Sequence, residues 1–339
     1  MDAMRLPIAA LGVIALACLG LSACSDGQMP PDASATPPPF ATVIVSTPIA
    51  PTAAPTNHED ADRTPSRVSL DWLDGDGLVP DLPSPFAAPR QDAGLRAAID
   101  DALAGFEGSV SVVVHNLLDG RSAALNENRV YYAASTYKMS LLYEAYRQVE
   151  SGERDLDDLL TLEQKYVEYD LGTLDLLGLH LGDQITLGDA LRAMIIVSDT
   201  PTAVLVQDTL GADRVDATLR TLGLTETEFN NRDLPATARD MARLLEAIAG
   251  GEGVSDQSRL AMLALLVQEQ ITGGVVSGIP EGVAVAHKTG NLGSANHDIA
   301  LVWGPAGPYI IAVMTDTLAG WDPVFAVSAA VWRYFAENP

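Results

Sequence analysis

The chain has 339 residues, of which 47% are hydrophobic, so it can form one large folded domain or two small ones. Its formal net charge is −25, with 45 acidic against 20 basic residues, which excludes nucleic acids and anionic lipid surfaces as expected partners. The only cysteines are Cys18 and Cys24, so the remainder of the chain can form neither an internal disulfide nor a cysteine metal site. We expect no metal and no cofactor.

The N-terminus has the layout of an export signal. Arg5 precedes an apolar run over residues 8–21, which is too short to cross a bilayer comfortably. The run ends in Leu21-Ser22-Ala23-Cys24, a string that resembles a bacterial lipobox. We therefore predict that residues 1–23 are a lipoprotein signal peptide and that Cys24 is lipidated. This places the chain on the extracytoplasmic face of a membrane, held by a lipid anchor. An ordinary signal peptide that happens to contain a cysteine is the alternative.

Residues 24–91 follow as a segment rich in proline, threonine and alanine in its first part and acidic and turn-like towards its end. Such a composition buries too little apolar surface to offset the entropy lost on ordering. We predict a largely disordered tether, with the folded domain spanning residues 92–339.

Within that domain the patterns predict strands near both ends and helices between them. A helix at 95–106 precedes strands at 110–115 and 121–125, which are joined by a turn at Asp119-Gly120. Residues 156–248 are mostly helical, and strand patterns return at 283–288, 298–303 and 309–315 before a closing helix at 323–337. One sheet must therefore combine both ends of the chain. We predict a sheet subdomain of residues 92–133 and 262–339 and a helical subdomain of residues 134–261.

A candidate nucleophile and base lie at the start of a predicted helix. Ser135 and Lys138 are three residues apart and so share one helix face. A serine hydroxyl needs an adjacent base, and a lysine can serve if its environment lowers its pKa. The chain has three lysines and otherwise uses arginine, which cannot act as a base. The alternative is that Ser135 only caps the helix and that Lys138 is solvated.

Two further triplets occur downstream, Ser198-Asp199-Thr200 and Lys288-Thr289-Gly290. Each has a structural explanation, as a helix cap followed by proline and as a strand entering a turn. All three motifs in this order resemble the penicillin-recognising serine enzymes, specifically the class A β-lactamases, over residues 92–339. The segment 226–230 (ETEFN) resembles the Glu-x-x-Leu-Asn loop of that family, and 296–302 resembles its following strand.

The resemblance implies a set of catalytic roles. Ser135 would attack a carbonyl and become acylated, while Lys138 would accept its proton. Ser198 would relay a proton to the leaving nitrogen. Glu226, together with Asn230, would hold the water that hydrolyses the acyl-enzyme. Glu226 equally fits a plain solvated acid, because its loop is short on both sides.

The resemblance also implies substrate-binding roles. Lys288 and Thr289 would hold the substrate carboxylate, and Gly290 and Asn291 would continue the same binding strand. The backbone N–H groups of Ser135 and Asn291 would form the oxyanion hole.

Three positions differ from the family pattern. Thr200 stands where the motif usually has asparagine, and we assign it to substrate binding. Asn291 replaces a small residue, and His297 stands where many relatives have a carboxylate-binding arginine.

The resemblance implies an α/β (α+β) fold of the β-lactamase/transpeptidase type: a five-stranded antiparallel sheet flanked by helices, plus an all-helical subdomain. The predicted function is a class A β-lactamase-like serine hydrolase acting through an acyl-enzyme on Ser135. The alternatives are a cell-wall D,D-carboxypeptidase or endopeptidase, and a non-hydrolysing penicillin-binding-like lipoprotein that binds the wall. We expect a β-lactam or a peptidoglycan stem peptide as the small-molecule substrate, and a monomeric protein.

Overall fold

The structure is a computed structural model that describes residues 64–73, 75 and 77–339. The predicted signal peptide (1–23), the lipidation site Cys24 and the predicted tether up to residue 63 lie outside the described residues.

Helices and strands of the described chain follow one another in the order of the sequence. The strands are β1 (Arg90–Gln91), β2 (Ser109–Asn116), β3 (Arg121–Leu125), β4 (Tyr131–Tyr132), β5 (Leu159–Thr161), β6 (Gln184–Thr186), β7 (Pro235–Ala236), β8 (Val285–Leu292), β9 (Ala295–Gly304) and β10 (Gly307–Asp316). The α-helices are α1 (Ala93–Ala102), α2 (Lys138–Glu150), α3 (Gln164–Val167), α4 (Thr173–Leu177), α5 (Leu187–Ile196), α6 (Thr200–Leu210), α7 (Ala212–Thr221), α8 (Ala238–Gly250), α9 (Asp256–Val267) and α10 (Asp322–Glu337). Short 3-10 helices cover Asp71–Leu73, Ala134–Tyr137 and Val275–Gly278.

Polar side chains fix where several helices begin. Asp92 caps α1 by accepting hydrogen bonds from the N–H groups of Gly94 and Leu95 at 2.9 and 3.0 Å. Thr186 caps α5 in the same way, with its hydroxyl oxygen 3.0 Å from the backbone nitrogen of Asp189. Each cap satisfies an N–H group that has no partner inside its helix.

The central sheet confirms the predicted fold and adds one strand to it. Its order is β1-β3-β2-β10-β9-β8, and every pair is antiparallel except β1 with β3. The predicted five-stranded antiparallel sheet is present as β3-β2-β10-β9-β8. The sixth strand, β1, was missed because it has two exposed residues and therefore no alternating pattern.

Side-chain alternation along the strands gives the sheet two buried faces. On β10, Ile310, Ala312 and Met314 face the large core that contains the helical block. Tyr309, Ile311 and Val313 face the second core, with α1 and α10. The predicted closing helix is confirmed as α10, and its apolar stripe faces this second core and is fully buried, at Val324, Val327, Val331 and Phe335.

The predicted tether is too long, because its last part belongs to the folded domain. Leu70 and Leu73 are 0% and 5% exposed, and both lie in the large core. The N–H of Val68 donates to the carbonyl of Gln184 at 2.8 Å, and β1 joins the sheet. The boundary at residue 92 is therefore wrong, since residues 64–73 and 77–91 pack against the domain. Isolated apolar residues between prolines and acids give no periodicity from which to predict this.

The predicted division between subdomains at residue 262 falls inside α9, whose Met262 and Leu263 are fully buried in the large core. A helix packs as one rigid element, so α9 belongs with the helices that precede it. Among the described residues, no helix combines the length and apolar character that crossing a membrane requires.

Candidate active site

Ser135 lies inside a tight turn that leads directly into α2. The turn is the 3-10 helix Ala134–Tyr137, and α2 begins at Lys138. Ala134 has a φ of 46°, a left-handed conformation that costs energy for a residue with a Cβ atom. The cap position of the turn is Ala133, and Lys138 is 0% exposed. The alternative in which Ser135 is only a cap and Lys138 is solvated is therefore wrong.

Lys138 is held by the Ser198 segment. Its Nζ donates to the carbonyl oxygen of Ser198 at 2.6 Å, and it lies 3.2 Å from Ser198 Oγ and 3.5 Å from Thr200 Oγ1. Burial lowers the pKa of Lys138 to about 7, assisted by the positive charge of Lys288 and opposed by Asp199 and Glu269. A pKa this low leaves a substantial fraction of the Lys138 amines neutral at pH 7, as a base requires.

Ser198 occupies a constrained junction between α5 and α6. Its φ is 58°, again in the left-handed region. Asp199 fixes the junction, because its carboxylate accepts from the N–H of Thr202 at 2.7 Å and from the hydroxyl of Thr173. The N–H of Asp199 also donates to Ala193 O at 3.0 Å. These bonds hold the Ser198 hydroxyl next to Lys138 and offset the cost of the backbone conformation.

Strand β8 closes the other side of the site, and Gly290 allows its close approach. A Cβ atom on Gly290 would lie 3.0 Å from Ala133 O and Thr136 Cγ2 and 3.2 Å from Ala134 Cβ. Such contacts are tighter than normal packing permits, so only glycine brings the strand this near to the Ser135 turn.

The position of β8 also supports an oxyanion hole. Strand β8 ends the order of the sheet, and the N–H of Thr289 points away from β9 to donate to Glu269. N–H groups two residues apart in a strand point the same way, so the N–H of Asn291 faces the same edge. The Ser135 turn packs beside the same strand, at Gly290.

A buried carboxylate that the sequence did not indicate, Glu269, lies against Lys288. Glu269 is 5% exposed and accepts hydrogen bonds from Lys288 Nζ and from Thr289 Oγ1, the latter at 2.6 Å. It also accepts from the N–H of Thr289 at 2.9 and 3.1 Å. Glu269 follows the apolar end of α9 and belongs to no motif, so no pattern in the sequence connects it with residue 288.

A second buried pair lies behind Glu269. His287 Nδ1 is 3.1 Å from Asp298 Oδ1 and 3.6 Å from Glu269 Oε2. Burial alone would lower the pKa of His287, but the carboxylates of Asp298 and Glu269 outweigh it and raise that pKa. Two basic and two acidic side chains are thus buried together at this end of β8.

The structure does not bring Glu226 and Asn230 into contact with the lysine. The carboxyl of Glu226 is exposed and lies 3.4 Å from Thr225 Oγ1, while its N–H donates to Asp240. The amide of Asn230 donates to Asp213 at 2.7 Å. No hydrogen bond among the described residues joins either side chain to Lys138 or Ser198. The loop nevertheless lies beside the site.

That proximity is shown by the loop's aromatic residue. The ring of Phe229 packs edge-on against Tyr137, with 5.6 Å between the ring centroids. Tyr137 directly precedes Lys138, so a change in the loop would alter the packing of the turn that contains Ser135.

His297 does not present a charge to a ligand. It is fully buried, its Nδ1 accepts from the N–H of Thr315 at 3.0 Å, and its Nε2 lies 2.9 Å from the carbonyl of Tyr132. Burial lowers the pKa of His297, although hydrogen bonds with the backbone of Tyr132 and Asn296 oppose this shift. It joins β9 to the strand before the Ser135 turn rather than replacing the arginine that the resemblance implies.

The described part of the chain contains no group of three or more histidine, cysteine, aspartate or glutamate side chains placed to hold a metal ion.

Comparison with known proteins gives consistent matches over this domain. A family model described as the beta-lactamase enzyme family matches residues 94–335. The structure of PBP-A aligns with a TM-score of 0.70 at 25% identity, covering 74% of this chain and 99% of PBP-A. A mutant of PBP-A, solved as an acyl-enzyme complex with penicillin G, gives the same TM-score and identity.

Two beta-lactamases match with similar coverage. The beta-lactamase from Sphaerobacter thermophilus is 28% identical, with a TM-score of 0.64 over 73% of this chain and 98% of its own. An ancestral (GNCA) class A beta-lactamase is 26% identical, with a TM-score of 0.65 over 72% of this chain and 100% of its own.

Proposed function

The chain belongs to the beta-lactamase enzyme family, and we propose that it is a serine hydrolase that opens β-lactam rings through an acyl-enzyme on Ser135. One observation carries the proposal. Lys138 is fully buried one helical turn from Ser135, with a pKa of about 7, and it contacts the Ser198 hydroxyl. A serine nucleophile needs a base close by, and a partly neutral lysine one turn away on the same side of the helix can serve as that base.

Acylation would use these groups in turn. Ser135 Oγ attacks the lactam carbonyl carbon and transfers its proton to Lys138 Nζ, while the N–H groups of Ser135 and Asn291 stabilise the oxyanion. The Ser198 hydroxyl gives its proton to the lactam nitrogen as the C–N bond breaks, and it regains a proton from Lys138. The product is an ester on Ser135, with Lys138 returned to its neutral form. Water completes turnover by hydrolysing that ester.

The slowest step in this scheme is expected to be deacylation. Glu226 would activate the water, with Asn230 orienting it, once the loop turns the carboxyl towards Ser135. The hydrogen bond between Asn230 and Asp213 opposes that movement. This observation favours a second candidate function, a penicillin-binding D,D-peptidase that β-lactams acylate but that releases them slowly. A wall-binding lipoprotein without turnover is the limiting case.

Reaction with a chromogenic cephalosporin separates these functions. Absorbance reports hydrolysis, and intact-protein mass reports acylation. We expect turnover by the wild type and accumulation of the acyl-enzyme in Glu226→Gln. Glu228→Gln is the matched control, because Glu228 is exposed in the same loop and its carboxylate accepts a hydrogen bond from the Asn231 amide at 2.9 Å.

The outcomes distinguish the candidates clearly. A stable adduct in the wild type supports the peptidase or the binding protein. Absence of both hydrolysis and adduct contradicts acylation altogether. Turnover that is equally fast in Glu226→Gln and Glu228→Gln shows that another group activates the water.

We also propose that the domain is tethered to the outer face of a membrane through lipidated Cys24. The support is the string of small residues before Cys24 that follows an apolar run. Cys24→Ala should move the protein from the membrane fraction to the soluble fraction, whereas Cys18→Ala should leave it in place. Unchanged fractionation of Cys24→Ala contradicts the lipid anchor.

A further inference from the structure

The residues expected to bind a substrate carboxylate are already engaged by a carboxylate of the protein. Lys288 Nζ has three N–H donors and Thr289 Oγ1 has one. Glu269 accepts one N–H of Lys288 and the hydroxyl proton of Thr289, and the carbonyl of Thr289 lies 3.2 Å from Lys288 Nζ. A single N–H donor of Lys288 is left for any other partner.

Burial restricts that remaining donor further. The side chains of Lys288 and Glu269 are both 0% exposed, and Thr289 is 2% exposed as a residue. A substrate carboxylate would have to enter a space where Glu269 already lies against the ammonium. Because the two charges of the pair cancel, the net attraction of Lys288 for a second anion is small.

No other buried basic group on the neighbouring strands compensates for this. His287 faces Asp298 as well as Glu269, so its charge is balanced within the buried group. His297 uses its ring nitrogens on the backbone of Thr315 and Tyr132. Lys138, the remaining basic group at the site, has a pKa near 7 and contacts Ser198.

The exposed group that follows on β8 is neutral. Asn291 is exposed, and its side-chain amide donates to Asn296. Its backbone N–H points away from β9, as that of Thr289 does. A substrate therefore meets hydrogen-bond donors without net charge at this end of the site, on a chain whose overall charge is −25.

We propose that Glu269 is a specificity-determining residue that occupies the Lys288–Thr289 pair from within and removes the usual selection for a substrate carboxylate. The site then accepts β-lactams or acyl peptides whose group beside the scissile C–N bond is neutral about as readily as those with a free carboxylate. An esterified β-lactam or a peptide bond inside a longer chain has this property, whereas a free terminal carboxylate does not. The inference rests on the proposed acylation of Ser135.

The test compares benzylpenicillin with its methyl ester, which differ in the carboxylate alone. The second-order rate constant for acylation is measured by intact mass for each compound and divided by that compound's own rate of alkaline hydrolysis. This correction removes the difference in intrinsic reactivity. We expect the acid-to-ester ratio of the wild type to lie below about ten, since Glu269 screens Lys288.

Three variants locate the effect. Glu269→Gln keeps a hydrogen-bonding group but uncovers the charge of Lys288, so the ratio should rise by about tenfold. Glu269→Asp keeps the negative charge, and its ratio should stay near that of the wild type. Glu337→Gln removes the same charge from an exposed site at the end of α10, which packs on the other face of the sheet, and should leave the ratio unchanged.

The results separate this inference from the proposed function. Acylation by neither compound overturns both. Acylation by both compounds with a wild-type ratio of about ten or more overturns only the role of Glu269. An unchanged ratio in a folded Glu269→Gln protein does the same. If Glu269→Gln does not fold, the acid-to-ester ratio of the wild type alone tests the role of Glu269, because that measurement needs no variant.

Discussion

Replacing Lys138 by methionine should make the protein more stable while abolishing acylation. Methionine has nearly the length of lysine but no charge, so it fits a fully buried position without the cost of desolvating an ammonium group. The site retains lysine because a base is needed there, and this lysine lowers the free energy of unfolding. A gain in stability on removing this side chain is the expected sign of that compromise.

The magnitude follows from the pKa. Lowering it from 10.5 to about 7 disfavours the folded state by about 4 kcal/mol at pH 7, because the unfolded chain binds a proton that the folded chain half releases. The variant loses the hydrogen bond to Ser198 O at 2.6 Å, which costs about 1–2 kcal/mol. The net gain at pH 7 is therefore about 2–3 kcal/mol.

The sign of the pH dependence gives a second check. Between about pH 7 and 10.5 the unfolded state binds more protons at this position than the folded state, so the stability of the wild type rises with pH over that window. The advantage of Lys138→Met should shrink by about 2 kcal/mol between pH 7 and pH 9. Comparing the two proteins at each pH cancels the contributions of the other titrating groups.

Urea denaturation at pH 7 and pH 9 measures both quantities. Lys165→Met is the matched control, because Lys165 is exposed and its ion pair with Asp208 at 3.0 Å contributes less than about 1 kcal/mol. The reasoning is refuted if Lys138→Met is less stable than the wild type at pH 7. It is equally refuted if the difference between the two proteins is the same at both pH values.

Two further predictions concern acylation. The second-order rate constant with a penicillin should rise about tenfold per pH unit below pH 7 and level off above it, because Lys138 loses its proton near that pH. A rate constant that does not change from pH 5 to 8 contradicts the role of Lys138 as the base. Gly290→Ala should lower the same constant by about 10- to 100-fold, because its Cβ would meet Ala133 O at 3.0 Å and push β8 from the Ser135 turn. Gly188→Ala, where the nearest atom is 3.4 Å away, serves as its control, and equal rates in both variants contradict the close contact.

Much of the fold could be predicted because its patterns are local. The closing helix shows its stripe in the sequence, and the central strands of the antiparallel sheet are short apolar runs rich in β-branched residues. The packing of Leu70 and Leu73 could not be predicted, since it depends on helices more than a hundred residues later. Strand β1 is likewise defined by its partner β3 and not by its own two residues.

Part of the candidate site could likewise be predicted from local patterns, and part of it could not. Ser135 and Lys138 are three residues apart at the start of α2, a spacing that can be read from the sequence, and in the structure Lys138 contacts the second motif at Ser198. Glu269 is brought to Lys288 only by the packing of α9 against β8. The sequence separation of these two residues matches no motif and so does not predict their contact. The orientation of Glu226 depends on a loop whose side-chain contacts are set by Asp240 and Asp213, and the resemblance contained no information about them.

The most direct test of the account is the location of the covalent adduct. The protein is incubated with benzylpenicillin, quenched in acid and mapped by peptide mass spectrometry, with Ser135→Ala and Ser198→Ala treated in parallel. The account predicts that the peptide containing Ser135 gains the mass of one penicillin in the wild type and that Ser135→Ala gains none. An adduct on Ser198, or one that persists in Ser135→Ala, would contradict it.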